Sequence, residues 1–156
     1  MMMAIHTLRR EQVLDADVDN VFAFFADPLN LEAITPPLLR FAVVTPAPVA
    51  MGVGTFIQYR LRLHGVPLRW DTLIQAWEPP RRFVDVQVRG PYALWHHTHE
   101  VSALPDGRSL MRDTVRYALP LGVVGAMAHR LVIARDLAAI FDYRAAAVPA
   151  LLAMRE

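Results

Sequence analysis

Trp95, His97, His99, Asp113 and Tyr117 fall at alternate positions of two neighbouring strand-like segments, and their side chains can hydrogen-bond, move protons or bind metal. Along Tyr92 to Leu104 the odd positions are Trp95, His97, His99, Val101 and Ala103; along Arg108 to Leu119 they are Met111, Asp113, Val115, Tyr117 and Leu119. The even positions of the second segment, Leu110, Arg112, Thr114, Arg116 and Ala118, are the more polar set, so the odd face is expected to point at the core. Pro105-Asp106-Gly107 between the segments suits a three-residue loop, a type I turn closed by a left-handed glycine. Leu104 then lies opposite Arg108, which sets His99 opposite Asp113, His97 opposite Val115 and Trp95 opposite Tyr117, all inward. A two-residue Asp106-Gly107 loop would oppose inward residues to outward ones and is rejected.

Three readings of the inward ionisable groups stand side by side. One is a satisfied buried pair, with Asp113 accepting from His99 and fixing register alone. Another is the polar end of an apolar pocket, where a His and a Tyr meet a ligand head group or shuttle a proton. The third is a metal held by His97, His99 and Asp113, against which stands Val115, no ligand, facing His97. No metal or cofactor is expected, and His96 is read as a surface residue. Tyr59, Trp70, Trp77 and Phe56 are strand aromatics that pack a core or line a cavity. Arg60 and Arg62 read as solvent-facing. Asp85 and Gln87 alternate with Val84, Val86 and Val88, and the pattern leaves open which set faces in.

Several chemistries are excluded. The chain has no Cys, so thiolate catalysis, thiolate metal sites and disulfides are ruled out. Gly52-Val53-Gly54 lacks the following helix and the Lys of a phosphate loop. There is no Gly-x-Ser-x-Gly motif, and no pair of carboxylates stands out at an acid–base spacing. With 16 basic and 15 acidic residues scattered along the chain, no nucleic-acid surface is indicated. Hydrophobic residues make up 54% of the 156, which calls for a large interior or apolar surface kept for a ligand or partner. Met1-Met2-Met3-Ala4-Ile5-His6 runs into Arg9-Arg10-Glu11 without an apolar segment, so a cytoplasmic location is expected. Prolines and glycines in the charge-free run Phe41 to Tyr59 argue against a membrane span there.

The elements that must position these residues follow from punctuation. Ile5 to Leu14 reads as a strand. Asp17 caps a short helix whose Val21, Phe24 and Phe25 share one face, and Asp27-Pro28 ends it. Leu29 to Thr35 is a second short helix, stopped by Pro36-Pro37. Strands are then expected at 41–44, 55–63, 67–77, 82–89, 92–104 and 108–119, with links short enough to require antiparallel pairing. From Leu121 to about Leu152 apolar residues occupy nearly every face of one long helix, which should be covered on most sides. The economical fold is α+β: a strongly curved antiparallel sheet around that helix, with the two short helices plugging one end.

The run Gly90-Pro91-Tyr92, Trp95, His97, His99, then Asp113, Val115, Tyr117, Pro120, and finally Leu137, Ile140-Phe141 and Tyr143-Arg144 resembles the ligand-binding bacterial branch of the START-like superfamily, also called SRPBCC or polyketide cyclase/dehydrase proteins. Val21-Phe22-Ala23-Phe24-Phe25, Asp27-Pro28, Leu31 and Pro36-Pro37 resemble its opening helices. The resemblance spans residues 1–156 as one ligand-binding domain. It implies a helix-grip fold, about seven strands gripping the C-terminal helix around a deep hydrophobic cavity. Members bind lipids, sterols, polyketides or quinone-like molecules; relatives include coenzyme Q-binding proteins and aromatase/cyclases.

The expected function is binding or carriage of a hydrophobic small molecule, with Trp95, His97, His99, Asp113, Tyr117, Tyr59, Trp70 and Phe141 as the ligand-binding set. The alternative is a polyketide cyclase or dehydratase in which His99 and Asp113 are the catalytic candidates. A third reading is a scaffold that forms a homodimer through small helix residues, Ala138, Ala139, Ala145, Ala146 and Ala147.

Overall fold

The computed structural model describes residues 3–155, apart from the side chain of Arg130; the Met1-Met2 part of the N-terminal reading lies outside the described residues. Strand β1 (His6–Leu14) is followed by helices α1 (Val18–Ala26) and α2 (Asn30–Ala33), then by β2 (Ala42–Val43), β3 (Phe56–Leu63), β4 (Val66–Glu78), β5 (Arg82–Arg89), β6 (Leu94–Ala103) and β7 (Ser109–Ala118). The Asp17 carboxylate accepts from the Asn20 amide and starts α1, satisfying an amide the first turn leaves unpaired.

All seven strands form one antiparallel sheet in the order β1-β7-β6-β5-β4-β3-β2. The β6–β7 register is the expected one, with His99 opposite Asp113, His97 opposite Val115 and Trp95 opposite Tyr117. Leu104 and Arg108 close the hairpin, and Gly107 has φ +86°, the left-handed position that a side chain would strain. The β5–β6 link is less regular and is held by a side chain. The Gln87 carboxamide donates to the Tyr92 carbonyl and accepts from the Tyr92 amide. A Cβ on Gly90 would stand 2.5 Å from the Gln87 Oε1, so a side chain there would displace the carboxamide from that bridge.

The C-terminal helix runs from Gly122 to Ala153 as α3 (Gly122–Ala128), a π turn (His129–Ile133) and α4 (Ala134–Ala153). Its second part lies in the curve of the sheet. Leu137 and Phe141 pack on Trp95, Val115 and Tyr117, while Val148 and Leu152 join α1, Leu14 and Met111 in a second cluster. A third cluster, Ile57, Tyr59 and Ile74, gathers on β3 and β4. Arg10 on β1 pairs with Asp142 at 2.6 Å, and His64 in the β3–β4 turn pairs with Asp136 at 2.7 Å. The helix is thus tied to both flanks of the sheet.

One expectation is overturned: the helix is not covered on most sides along its whole length. Leu121, Val123, Val124, Met127 and Leu131 are each more than half exposed. The clusters that grip the helix start at Ile133 and Leu137, so α3 overhangs the sheet. Ala139, Ala145 and Ala146 lie on the exposed flank of α4, and Ala138 and Ala147 are half-buried. No described helix is long and apolar enough to cross a membrane.

Candidate functional site

The three clusters share Leu31, Trp70 and Trp77 at their margins but do not fill the space between them. Between them lies a cavity of about 160 Å³ whose walls include Tyr59, Trp70, Tyr92, Trp95, Leu137 and Phe141. Trp70, Tyr92 and Trp95 meet one another edge-on or tilted, with ring centroids 4.9–5.5 Å apart, a geometry that favours the aromatic quadrupoles. Asp85, His97, His99 and Arg144 supply the charged part of the lining.

His97 and His99 project from β6 on the same face and stack with centroids 3.7 Å apart. Phe83 of β5 stacks on the outer face of His99 at 4.0 Å. Two carboxylates flank the imidazole pair on opposite edges. On one edge, Asp113 of β7 lies 2.7 Å from His97 Nε2 and 3.4 Å from His99 Nδ1. On the other, Asp85 of β5 lies 2.5 Å from His99 Nε2 and 3.8 Å from His97 Nδ1. The expected His99–Asp113 juxtaposition is present, buried and inward, but the hydrogen bonds cross. Asp113 takes the proton of His97, and His99 gives its own to Asp85. His99 Nδ1 is sealed from solvent without an aligned partner.

Burial alone would raise both carboxylates, yet each is held below its ordinary range. For Asp113 the hydrogen bond from His97 and the adjacent His99 imidazole outweigh burial; for Asp85 the hydrogen bond from His99 and the charge on the imidazole pair do so. Burial lowers His97, and the neighbouring His99 charge lowers it further. Burial also acts to lower His99, but Asp113 and Asp85 together raise it. Of the two stacked imidazoles, His99 therefore holds a proton more readily than His97. Burial pushes the Tyr59 phenol up, and the Asp85 charge adds to this, so Tyr59 is a neutral donor.

Arg144 lies on the same face of α4 as Leu137, Phe141 and Val148. Its guanidinium sits 4.9 Å from the centre of the Phe141 ring, and its buried Nε has no hydrogen-bond partner among the described residues. Burial lowers its pKa, while Asp113, Asp85 and Tyr59 act against the loss of its proton. Asp85, the imidazole pair and the Arg144 guanidinium therefore share the polar end of the cavity, with Asp113 acting from behind the imidazoles.

Of the residues expected from the sequence, Tyr59, Trp70, Trp95, His97, His99 and Phe141 line this cavity. Asp113 stands behind the imidazoles and faces a smaller hollow of about 60 Å³ toward β1. Tyr117 turns away and meets His129 Nε2 at 2.8 Å. Phe56 is exposed and Trp77 packs on Phe22, while Arg60 and Arg62 are exposed as expected. The reading that no carboxylate pair stands out is corrected, since Asp85 and Asp113 converge on one pair of histidines. Asp85 was legible only as one of two possible faces. Arg144 was legible from helical spacing, falling three residues after Phe141 and seven after Leu137.

No family model matches the chain, and no curated protein matches it in sequence. Solved structures do. An aromatase/cyclase, Zhui from Streptomyces sp. R1128, superposes with a TM-score of 0.76 at 16% identity, over 97% of this chain and 96% of its own. TTHA0849 from Thermus thermophilus gives 0.77 at 15%, over 97% and 99%. Norcoclaurine synthase from Thalictrum flavum gives 0.71 at 13%, over 99% and 98%. The curved seven-stranded sheet and its long terminal helix are the helix-grip fold that these structures share.

Proposed function

We propose that the chain binds and carries a hydrophobic small molecule of lipid, quinone or polyketide type in the cavity. The observation that carries this reading is a hollow with aromatic and aliphatic walls whose charged groups, of both signs, sit together. Such a site favours an apolar guest with an uncharged oxygen at one end. Tyr59 and the Arg144 Nε–H are donors for a carbonyl or hydroxyl oxygen there. A volume of about 160 Å³ is close to the ~150 Å³ that admits benzene, so the buried part of the guest is on the order of one ring with its substituents. A longer tail has Leu61, Leu63 and Leu68 to follow outward.

Trp70 and Trp95 make the test direct. Short-chain quinones, fatty acids and sterols are titrated against tryptophan fluorescence, and melting temperature is followed in parallel. A saturable change for one class, with a stabilisation of about 2.7 kcal/mol at a hundredfold excess over Kd, is the expected result. No change from any of the three classes would remove the reading.

The alternative is a cyclase or dehydratase, favoured by the Asp85–His99 hydrogen bond in the cavity wall, which gives a proton-bearing imidazole access to a guest. In that case His99→Gln abolishes turnover of a polyketide-like substrate while binding survives. For a carrier the same change shifts affinity and no chemistry is lost.

A further inference from the structure

We propose that Asp85, His97 and His99 form a binding site for a divalent transition-metal ion, opening on the cavity, with Asp113 as the outer carboxylate that orients both imidazoles. The proposal stands on the geometry of the quartet and does not rest on the identity of the guest.

The two carboxylates are not equivalent. One donor atom from each of Asp85, His97 and His99 lies within 4.8 Å of the others. On that edge of the imidazole stack the atoms are His97 Nδ1, His99 Nε2 and the Asp85 carboxylate, and Asp85 lines the cavity. The opposite edge presents His97 Nε2 and His99 Nδ1 to Asp113, which does not line it. Metal-bound imidazoles usually give their other N–H to a carboxylate, which fixes the tautomer and turns the lone pair toward the ion. Asp113 stands in that relation to both rings. With His97 Nε2–H donated to Asp113, its Nδ1 lone pair points to the Asp85 edge. At His99 the ion replaces the proton now held between Nε2 and Asp85, and Nδ1–H, lacking an aligned acceptor, needs only a small turn to reach Asp113.

Two histidines and one carboxylate with open positions are a donor set used for zinc and for non-haem iron. On the β7 side Val115 faces His97 and Asp113 is taken up as the outer carboxylate, so the third ligand has to come from elsewhere. That ligand comes from the other neighbour, β5, where Asp85 is paired directly with His97. At bond lengths of about 2.0–2.2 Å and tetrahedral angles, ligand atoms stand about 3.4 Å apart, so the His99–Asp85 pair must part by about 0.9 Å. Asp85 lines the cavity, and its carboxylate has to swing to that side.

The test uses the full chain stripped with a chelator and titrated calorimetrically with Zn²⁺ and Co²⁺, with the visible spectrum of Co²⁺ reporting its coordination. One ion per chain, a raised melting temperature and a Co²⁺ spectrum of low coordination number are expected. Asp85→Asn and His99→Gln should each lower affinity at least a hundredfold, and Asp113→Asn ten- to a hundredfold, with circular dichroism and melting confirming that each variant folds. His129→Ala is the control for adventitious binding at the half-buried His6–His129 stack. Absence of stoichiometric binding, retention of full affinity in the folded Asp85 and His99 variants, or loss of binding in His129→Ala alone would overturn the proposal.

Discussion

Asp113 accepts the hydrogen bond of His97 and lies 3.4 Å from His99, and its value to the fold is that of one charge in a buried network. Removing one member of a buried ionic network leaves the rest uncompensated in a low-dielectric interior. Asp113→Ala is therefore expected to lower unfolding free energy by about 3–5 kcal/mol, read from urea denaturation. Because folding depresses the pKa of Asp113, this contribution is complete above the ordinary carboxylate range and is lost as pH falls through and below it. A loss under about 1 kcal/mol at neutral pH would mean that the imidazoles repack without it.

The C-terminal helix changes character where it leaves the sheet, and a small aromatic group marks the boundary. His129 stacks on His6 of β1 with centroids 3.5 Å apart and meets the Tyr117 hydroxyl at 2.8 Å. Burial lowers the pKa of His129, and the charge on His6 lowers it further. A depressed imidazole binds its proton more readily unfolded than folded, so the fold loses stability as pH falls through about 6.5 toward the folded value. Chains with native His129 should show a larger drop in melting temperature between about pH 7.5 and 5.5 than His129→Gln. Equal drops in the two would assign the acid sensitivity to other groups.

Across the whole molecule, hydrophobic residues serve three ends: packed clusters, the walls of a cavity, and an exposed helix end. Val124 and Leu131 belong to the last, at 64% and 71% exposure. Replacing them by Ser and Gln removes no packing, so unfolding free energy should change by no more than about 0.5 kcal/mol, while retention on a hydrophobic matrix falls. A larger loss of stability would show that α3 packs on the sheet in solution.

Alternating apolar positions, proline-glycine punctuation and a run of helix-compatible apolar residues determined the element order, the antiparallel sheet and the β6–β7 register, because each depends on neighbours close in sequence. A three-residue loop with a glycine at its left-handed position leaves one pairing of Trp95, His97 and His99 with Tyr117, Val115 and Asp113. The β5–β6 link has no such rule. Its geometry comes from the Gln87 carboxamide bridging to Tyr92, so only the tertiary structure could bring Asp85 to the histidines. The same holds for the crossed hydrogen bonds, since strand register fixes backbones opposite one another but not which edge of a stacked imidazole meets which carboxylate. It holds too for the cavity, whose volume is what remains between three clusters that touch only at their margins.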